Sequence, residues 1–142
     1  MVIGTSALIA IALGEPPRAS PLDAIKSAAT RRISAVTLLD TGIVLRARSG
    51  KPSVPLLYEL IAELAIEVVS FDQAQARLAI AAFARFGKGM GHRAQLNYGD
   101  CAVYDLATFG SEPVLATGND FAATDLAVVA RSTWPPTASF RS

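Results

Sequence analysis

Three aspartates, Asp40, Asp100 and Asp120, stand where a carboxylate would do more than solvate a surface. Asp40 lies in Ala35-Val36-Thr37-Leu38-Leu39-Asp40-Thr41-Gly42-Ile43-Val44-Leu45, a run with no other charge. At ~100° per residue it falls near Val36 and between Leu39 and Ile43, on the apolar side of a helix. A carboxylate there is costly unless a cation or hydrogen bonds satisfy it, which points to a site; the plainer alternative is a surface acid at the edge of the stripe. Asp100 follows Asn97-Tyr98-Gly99 at a predicted helix start. An acid in the first turn complements the helix dipole and makes half a capping box. The same field lowers its pKa and suits a metal ligand, so position leaves both roles open. Asp120, in Gly118-Asn119-Asp120-Phe121, directly follows the apolar run Val114-Leu115-Ala116. It is either a site acid at a strand's carboxyl end or a turn residue. Asp125 reads as a second turn acid.

Around these acids lies a local basic edge. Lys88, His92 and Arg93 fall in a glycine-rich stretch leading into the helix that carries Asp100, and would suit a phosphodiester chain. Arg31 and Arg32, ahead of the Asp40 helix, extend that edge or are simply solvated. His92 has no second His or Cys nearby, which argues against zinc. Gly87-Lys88-Gly89 lacks the spacing and the trailing Lys-Ser/Thr of a phosphate-binding P-loop.

Short apolar runs alternate with helical patterns and so supply the scaffold. Strands are predicted at residues 1–3, 31–33, 66–71, 113–116 and 127–130. Helices are predicted at about 5–13, 21–29, 35–48, 52–65, 73–86 and 97–109, with Ser34, Asp72 and Asn97 as N-caps. Glu15-Pro16-Pro17 should stop the first helix. Strands alternating with helices imply a parallel sheet covered on both faces, with ligands at the strands' carboxyl ends. Residues 1–131 read as one domain and 132–142 as a loose tail.

Composition limits the function classes. With 13 Lys and Arg against 12 Asp and Glu, the net charge is +1, so there is no global electrostatic footprint for nucleic acid and any basic surface must be local. Cys101 is the sole cysteine, which excludes an intrachain disulfide or a thiolate cluster and fits a reducing cytoplasm. The uncharged opening, Met1 to Gly14, lacks the basic residues that precede a signal-peptide core, and no segment reaches the ~18 apolar residues of a membrane span. Hydrophobic residues make up 51% of the chain, which implies an alanine-rich core or a face covered by a partner. The first helix, Ala7 to Leu13, is apolar nearly all round and must be buried in the domain or covered from outside.

Taken together, these residues resemble the VapC-type toxins, PIN-domain ribonucleases of type II toxin–antitoxin pairs. Met1-Val2-Ile3-Gly4-Thr5-Ser6-Ala7-Leu8 with Leu13-Gly14-Glu15-Pro16 is similar to the family's amino terminus, and Ser34 to Asp40 to its second acidic motif. His92-Arg93-Ala94-Gln95-Leu96-Asn97-Tyr98-Gly99-Asp100-Cys101 resembles the third and most specific motif. Gly118-Asn119-Asp120-Phe121 with Thr124-Asp125 resembles the fourth. The resemblance implies a three-layer α/β/α sandwich with a short, mostly parallel sheet, and endonucleolytic RNA cleavage with Mg²⁺, or Mn²⁺ as substitute. It further implies a cognate VapB-type antitoxin and a homodimer, with no membrane association. Asp100 and Asp120 would hold metal, Asp40 would bind it or orient water, and Thr5 and Ser6 would add hydroxyl contacts. Clustered carboxylates repel one another unless a hard cation lies between them, and such an ion activates water for attack on a phosphodiester.

Two departures from the family stand out. Asp40 occupies a position commonly Glu, one methylene longer. Gly4 occupies a position normally Asp, which removes a whole carboxylate; the plainer reading is a glycine easing a strand-to-helix turn. The expectation is weak metal binding and slow or absent cleavage. The competing reading is a PIN-like module that binds RNA or antitoxin without cutting. A phosphoacceptor domain is disfavoured: there are no paired acids after the first strand and no lysine after the late one.

Overall fold

The computed structural model describes residues 1–14 and 21–129. Within them lie β1 (Val2–Ile3), α1 (Thr5–Ala12), α2 (Pro21–Ser27), β2 (Arg32–Ser34), α3 (Ala35–Ser49), α4 (Ser53–Glu63), β3 (Glu67–Val69), α5 (Gln73–Phe86), α6 (Tyr98–Gly110) and β4 (Val114–Leu115). A single 3₁₀ turn follows at Phe121–Ala123. The strands form one parallel sheet of order β3-β2-β1-β4.

Strand alternation sorts the core into two layers. Val2 and Val114 point to one face, where α5 and α6 pack through Ala82, Phe86, Val103, Leu106 and Ala107. Met1, Ile3 and Leu115 point to the other, against Ala7 and Leu8 of α1, Ile25 of α2 and Leu64 beyond α4. The result is the expected three-layer sandwich.

Local chemistry explains most element ends. The Ser34 hydroxyl accepts from Val36 N at 3.1 Å and starts α3. Asp72 and Gln75 close a capping box on α5 at 2.9 Å in both directions. Helix α1 stops before the prolines: Gly14, in the left-handed region at φ 65°, donates back to Ile11 O at 3.1 Å.

Differences from expectation lie at the sheet margins. β3 spans three residues rather than six because its one partner, β2, offers only three. The expected last strand is reduced to one parallel bridge, Val128 to Val114; its residue 130, Glu15-Pro16 and the tail at 132–142 lie outside the described residues. No described helix is long and apolar enough to cross a membrane. The apolar α1 is absorbed by the domain: Ala7, Leu8 and Ala10 are buried and the rest is half-buried. The open apolar surface is instead a groove of about 750 Å³ between α3 and α4, lined by Leu38, Leu39, Ile43, Arg46, Val54 and Tyr58.

Candidate active site

In the order β3-β2-β1-β4 the chain runs outward from β1 in both directions, so β1 and β4 flank the switch point of the sheet. At such a point the segments leaving the two strands diverge and open a crevice. Here those segments are Gly4-Thr5-Ser6 after β1 and Ala116 to Asp120 after β4. They border a cavity of about 300 Å³, also lined by Asp40 from α3 and by Asn97 and Asp100 from the start of α6. The three aspartates, 80 residues apart in sequence at their extremes, thus share one cavity with Thr5 and Ser6.

Four of these five side chains, all but Asp120, have an identifiable support. The Thr5 hydroxyl donates to Asp40 Oδ2 at 3.0 Å. That carboxylate lies against Gly99, where a Cβ would collide with Asp40 Oδ2. Glycine at 99 is therefore a seat for Asp40 rather than a source of flexibility. Asp100 Oδ2 accepts from Asn97 N at 3.0 Å while Asn97 Oδ1 accepts from Asp100 N at 2.9 Å, a complete capping box. Capping fixes the carboxylate's orientation and leaves Oδ1 outside the box. The Ser6 hydroxyl accepts from Thr117 N at 3.0 Å and ties the β1 exit to the β4 exit.

The electrostatics correct one expectation. Helix-start geometry predicts a lowered pKa for Asp100, but it is raised. Burial is the largest cause; the hydrogen bond from Asn97 opposes it, and the charges of Asp120 and Asp40 add to it. A cation among these acids would offset both the burial and the repulsion. Cys101 beside it is buried, and burial followed by the Asp100 charge pushes its thiol up to about 11, so it is protonated and inert.

Gly4 is buried next to the cavity-lining Thr5, as the N-cap of α1, with φ −79° and ψ 160°. This is ordinary extended backbone, so the turn does not require glycine. A Cβ here would lie 3.3 Å from Leu115 O, 3.6 Å from Ala116 Cβ and 3.9 Å from the Phe121 ring. Only a shift of a few tenths of an ångström separates this position from accepting a side chain.

The basic residues lie apart from the acids. Lys88 and Arg93 are exposed on the loop between α5 and α6, and neither lines the cavity. His92 is half-buried, its ring edge-on to Phe86 at 4.9 Å and its Nδ1 accepting from Ala94 N at 3.0 Å. It holds the loop. Asp125 takes part in a separate cluster, accepting from Tyr104 Oη at 2.6 Å and from Arg85 at 3.3 Å.

A family model for the PIN domain matches residues 1–126. Ribonuclease VapC28 of Mycobacterium tuberculosis is 46% identical over 121 residues, 85% of this chain and 91% of that protein. The chain belongs to the VapC ribonucleases of the PIN-domain family. The fold agrees with VapC20 of M. tuberculosis, described as a toxin that cleaves the sarcin–ricin loop, at a TM-score of 0.75 and 14% identity over 90% of this chain and 97% of that one. It agrees also with VapBC2 of Rickettsia felis, seen bound to a promoter DNA fragment, at a TM-score of 0.66 and 12% identity over 91% and 96%.

PIN-domain ribonucleases generally need a divalent metal, and the VapC cavity can be tested for one. The donors are of the right kind, since oxygen ligands suit hard cations and the repulsion felt by Asp100 is what a cation relieves. They fall short in number and closeness: among the described residues no three His, Cys, Asp or Glu side chains group tightly enough to enclose an ion. Substituting Gly99→Ala should expel Asp40 from its seat without unfolding α6, since alanine favours helix by about 1 kcal/mol. Loss of the Thr5–Asp40 contact with Tm unchanged or raised is the expected result, read by crystallography and calorimetry; an undisturbed Asp40 would refute the role given to Gly99.

Proposed function

We propose that this chain is the toxin half of a type II toxin–antitoxin pair, a metal-dependent endoribonuclease held one carboxylate short of a full site. The observation that carries this is the convergence of Asp40, Asp100 and Asp120 on one cavity at the sheet's switch point, with a Cβ at Gly4 directed toward its lining residues Ala116 and Phe121. Asp100 and Asp120 would hold Mg²⁺, with Mn²⁺ as substitute, and Asp40 would bind it or orient water. The bound ion supplies an activated water and a counter-charge for the phosphodiester. The protein's part is to hold acceptors in place: Thr5 and Gly99 fix Asp40, and the Asn97 box fixes Asp100. Without a cation the three acids would repel an RNA backbone. Lys88 and Arg93 on the neighbouring loop draw the RNA in, with His92 shaping that loop.

The partners in this reading are a cognate VapB-type antitoxin and a second copy of the chain, acting in the cytoplasm. The α3–α4 groove, apolar with Arg46 at its edge, suits an amphipathic antitoxin segment carrying an acid.

Gly4 favours a second reading, in which the chain occupies RNA or antitoxin without cutting. Total RNA incubated with Mg²⁺ or Mn²⁺ separates the two. Cleavage by the Gly4→Asp chain that vanishes on adding Asp100→Asn supports the nuclease; silence from folded, antitoxin-free Gly4→Asp protein favours the binding module.

A further inference from the structure

Asp105 belongs to no part of the site above. It lies mid-way along α6, five residues from Asp100, and is 2% exposed. Neither of its carboxylate oxygens has a hydrogen-bond partner among the described residues. A buried carboxylate normally recruits a cation or several donors, because an unpaired one costs several kcal/mol. Asp105 lines a cleft of about 200 Å³ between α5 and α6, walled by Leu78, Ala81 and Ala82, with Thr108 and Arg85 at its margins.

The cation nearest in the chain is committed elsewhere. Arg85 donates to Asp125 at 3.3 Å and lies over the Phe86 ring at 4.5 Å. Tyr104, the other polar neighbour, gives its hydroxyl proton to Asp125 at 2.6 Å. The Thr108 hydroxyl is engaged with Tyr104 in turn, so the cleft combines a carboxylate at its base with apolar walls and hydroxyls that are already hydrogen-bonded. That combination matches a head with several N–H donors on a hydrocarbon stem, whose methylenes cover Leu78 and Ala81 while the head meets the acid once the Asp105 carboxylate, which lies beneath the cleft surface, turns outward.

We propose that the Asp105 cleft is a binding site for one guanidinium or alkylammonium group carried on an apolar stem. The arrangement suits guanidinium better than a hydrated metal ion, since among the described residues Asp105 is the one carboxylate lining the cleft and the Tyr104 and Thr108 hydroxyls are neutral and already hydrogen-bonded. Burial, and then the charge of Asp72, raise the Asp105 carboxyl to about 6, as expected of an acid placed for a counter-ion rather than for water. The group can arrive on a free ligand or on an arginine of a second copy. Arg77, exposed on α5 with no acid in that helix, is the side chain a copy would offer.

The probe is n-butylguanidinium, with n-butylurea as the uncharged control, titrated into the full chain while α5 and α6 amides and the Asp105 carboxyl are followed by NMR. Saturable binding of the guanidinium alone, weakened roughly tenfold or more by Asp105→Asn and unaffected by Asp23→Asn, supports the site. Should a copy's arginine already fill the cleft, the chain self-associates on concentration, and both Asp105→Asn and Arg77→Ala weaken that association; this outcome also supports it and names the source. Binding equal in wild type and Asp105→Asn, with self-association likewise unchanged, overturns it. An Asp105 carboxyl that titrates in its ordinary range in dilute wild type but not in Arg85→Ala overturns it too, since Arg85 would then fill the cleft. Asp105→Asn removes a buried charge and so should fold at least as well as wild type, which thermal unfolding checks.

Discussion

Gly4→Asp is expected to raise RNA cleavage in Mg²⁺ by roughly a hundredfold or more, because on the function proposed above it would add a metal ligand beside a cavity that already holds three acids. The backbone at Gly4 is extended, so aspartate adopts its φ and ψ readily, and its Cβ needs only a shift of a few tenths of an ångström from Leu115 O. Its Cβ would point among Leu115 O, Ala116 and Phe121, the last two of which line the cavity. The substitution also adds a fourth acid to a cavity where Asp100 is already destabilised by Asp120 and Asp40. Without metal the revertant should therefore be less stable than the present chain by about 1 kcal/mol. With Mg²⁺ it should recover and exceed it, by the mass-action gain of any ligand that binds only the folded state. Two measurements check this: the rate on total RNA, and Tm with and without Mg²⁺. Equal rates and equal metal-dependent shifts in the two proteins would show that Gly4 is not the defect.

Asp105→Asn is expected to stabilise the dilute chain, free of cationic ligand, by ~1–3 kcal/mol at pH 7, and to change little at pH 4. The sign follows from the direction of the shift. The carboxyl titrates near 6 in the folded protein, above its ordinary 3.8, so the folded state holds this proton more tightly than the unfolded one. Its stabilising contribution is complete below about 3.8 and is lost as pH rises through about 6. Wild type should thus lose stability between those limits through this one group, and the Asn variant should not. Thermal unfolding of both proteins from pH 4 to 8 reads the difference directly. Parallel profiles would mean that the buried carboxylate is already neutralised.

Much of this architecture was legible from residue types alone, because the deciding physics is local. Caps at Ser34, Asp72 and Asn97 involve groups two or three residues apart, and each forms as the sequence predicts. The alternation of Val2 with Ile3, and of Val114 with Leu115, assigns the two faces of the sheet by the period of a strand. The same locality made Asp40 conspicuous as the one charge in an apolar stretch.

Other features depend on distant segments, which local pattern does not encode. No spacing rule brings Gly99 against Asp40 or the Thr5 hydroxyl onto it; the sheet order does, by setting the starts of α1 and α6 on either side of α3. The pKa of Asp100 reversed direction for the same reason. A helix start lowers it, but the desolvation and neighbouring charges that raise it exist only once three separate segments meet. Residue type alone thus determined the elements, their caps and the acids worth suspecting. Tertiary structure decided that those acids share one cavity, that Gly99 seats Asp40, and that Asp105 is buried without a partner among the described residues, because burial and charge act across space and not along the chain.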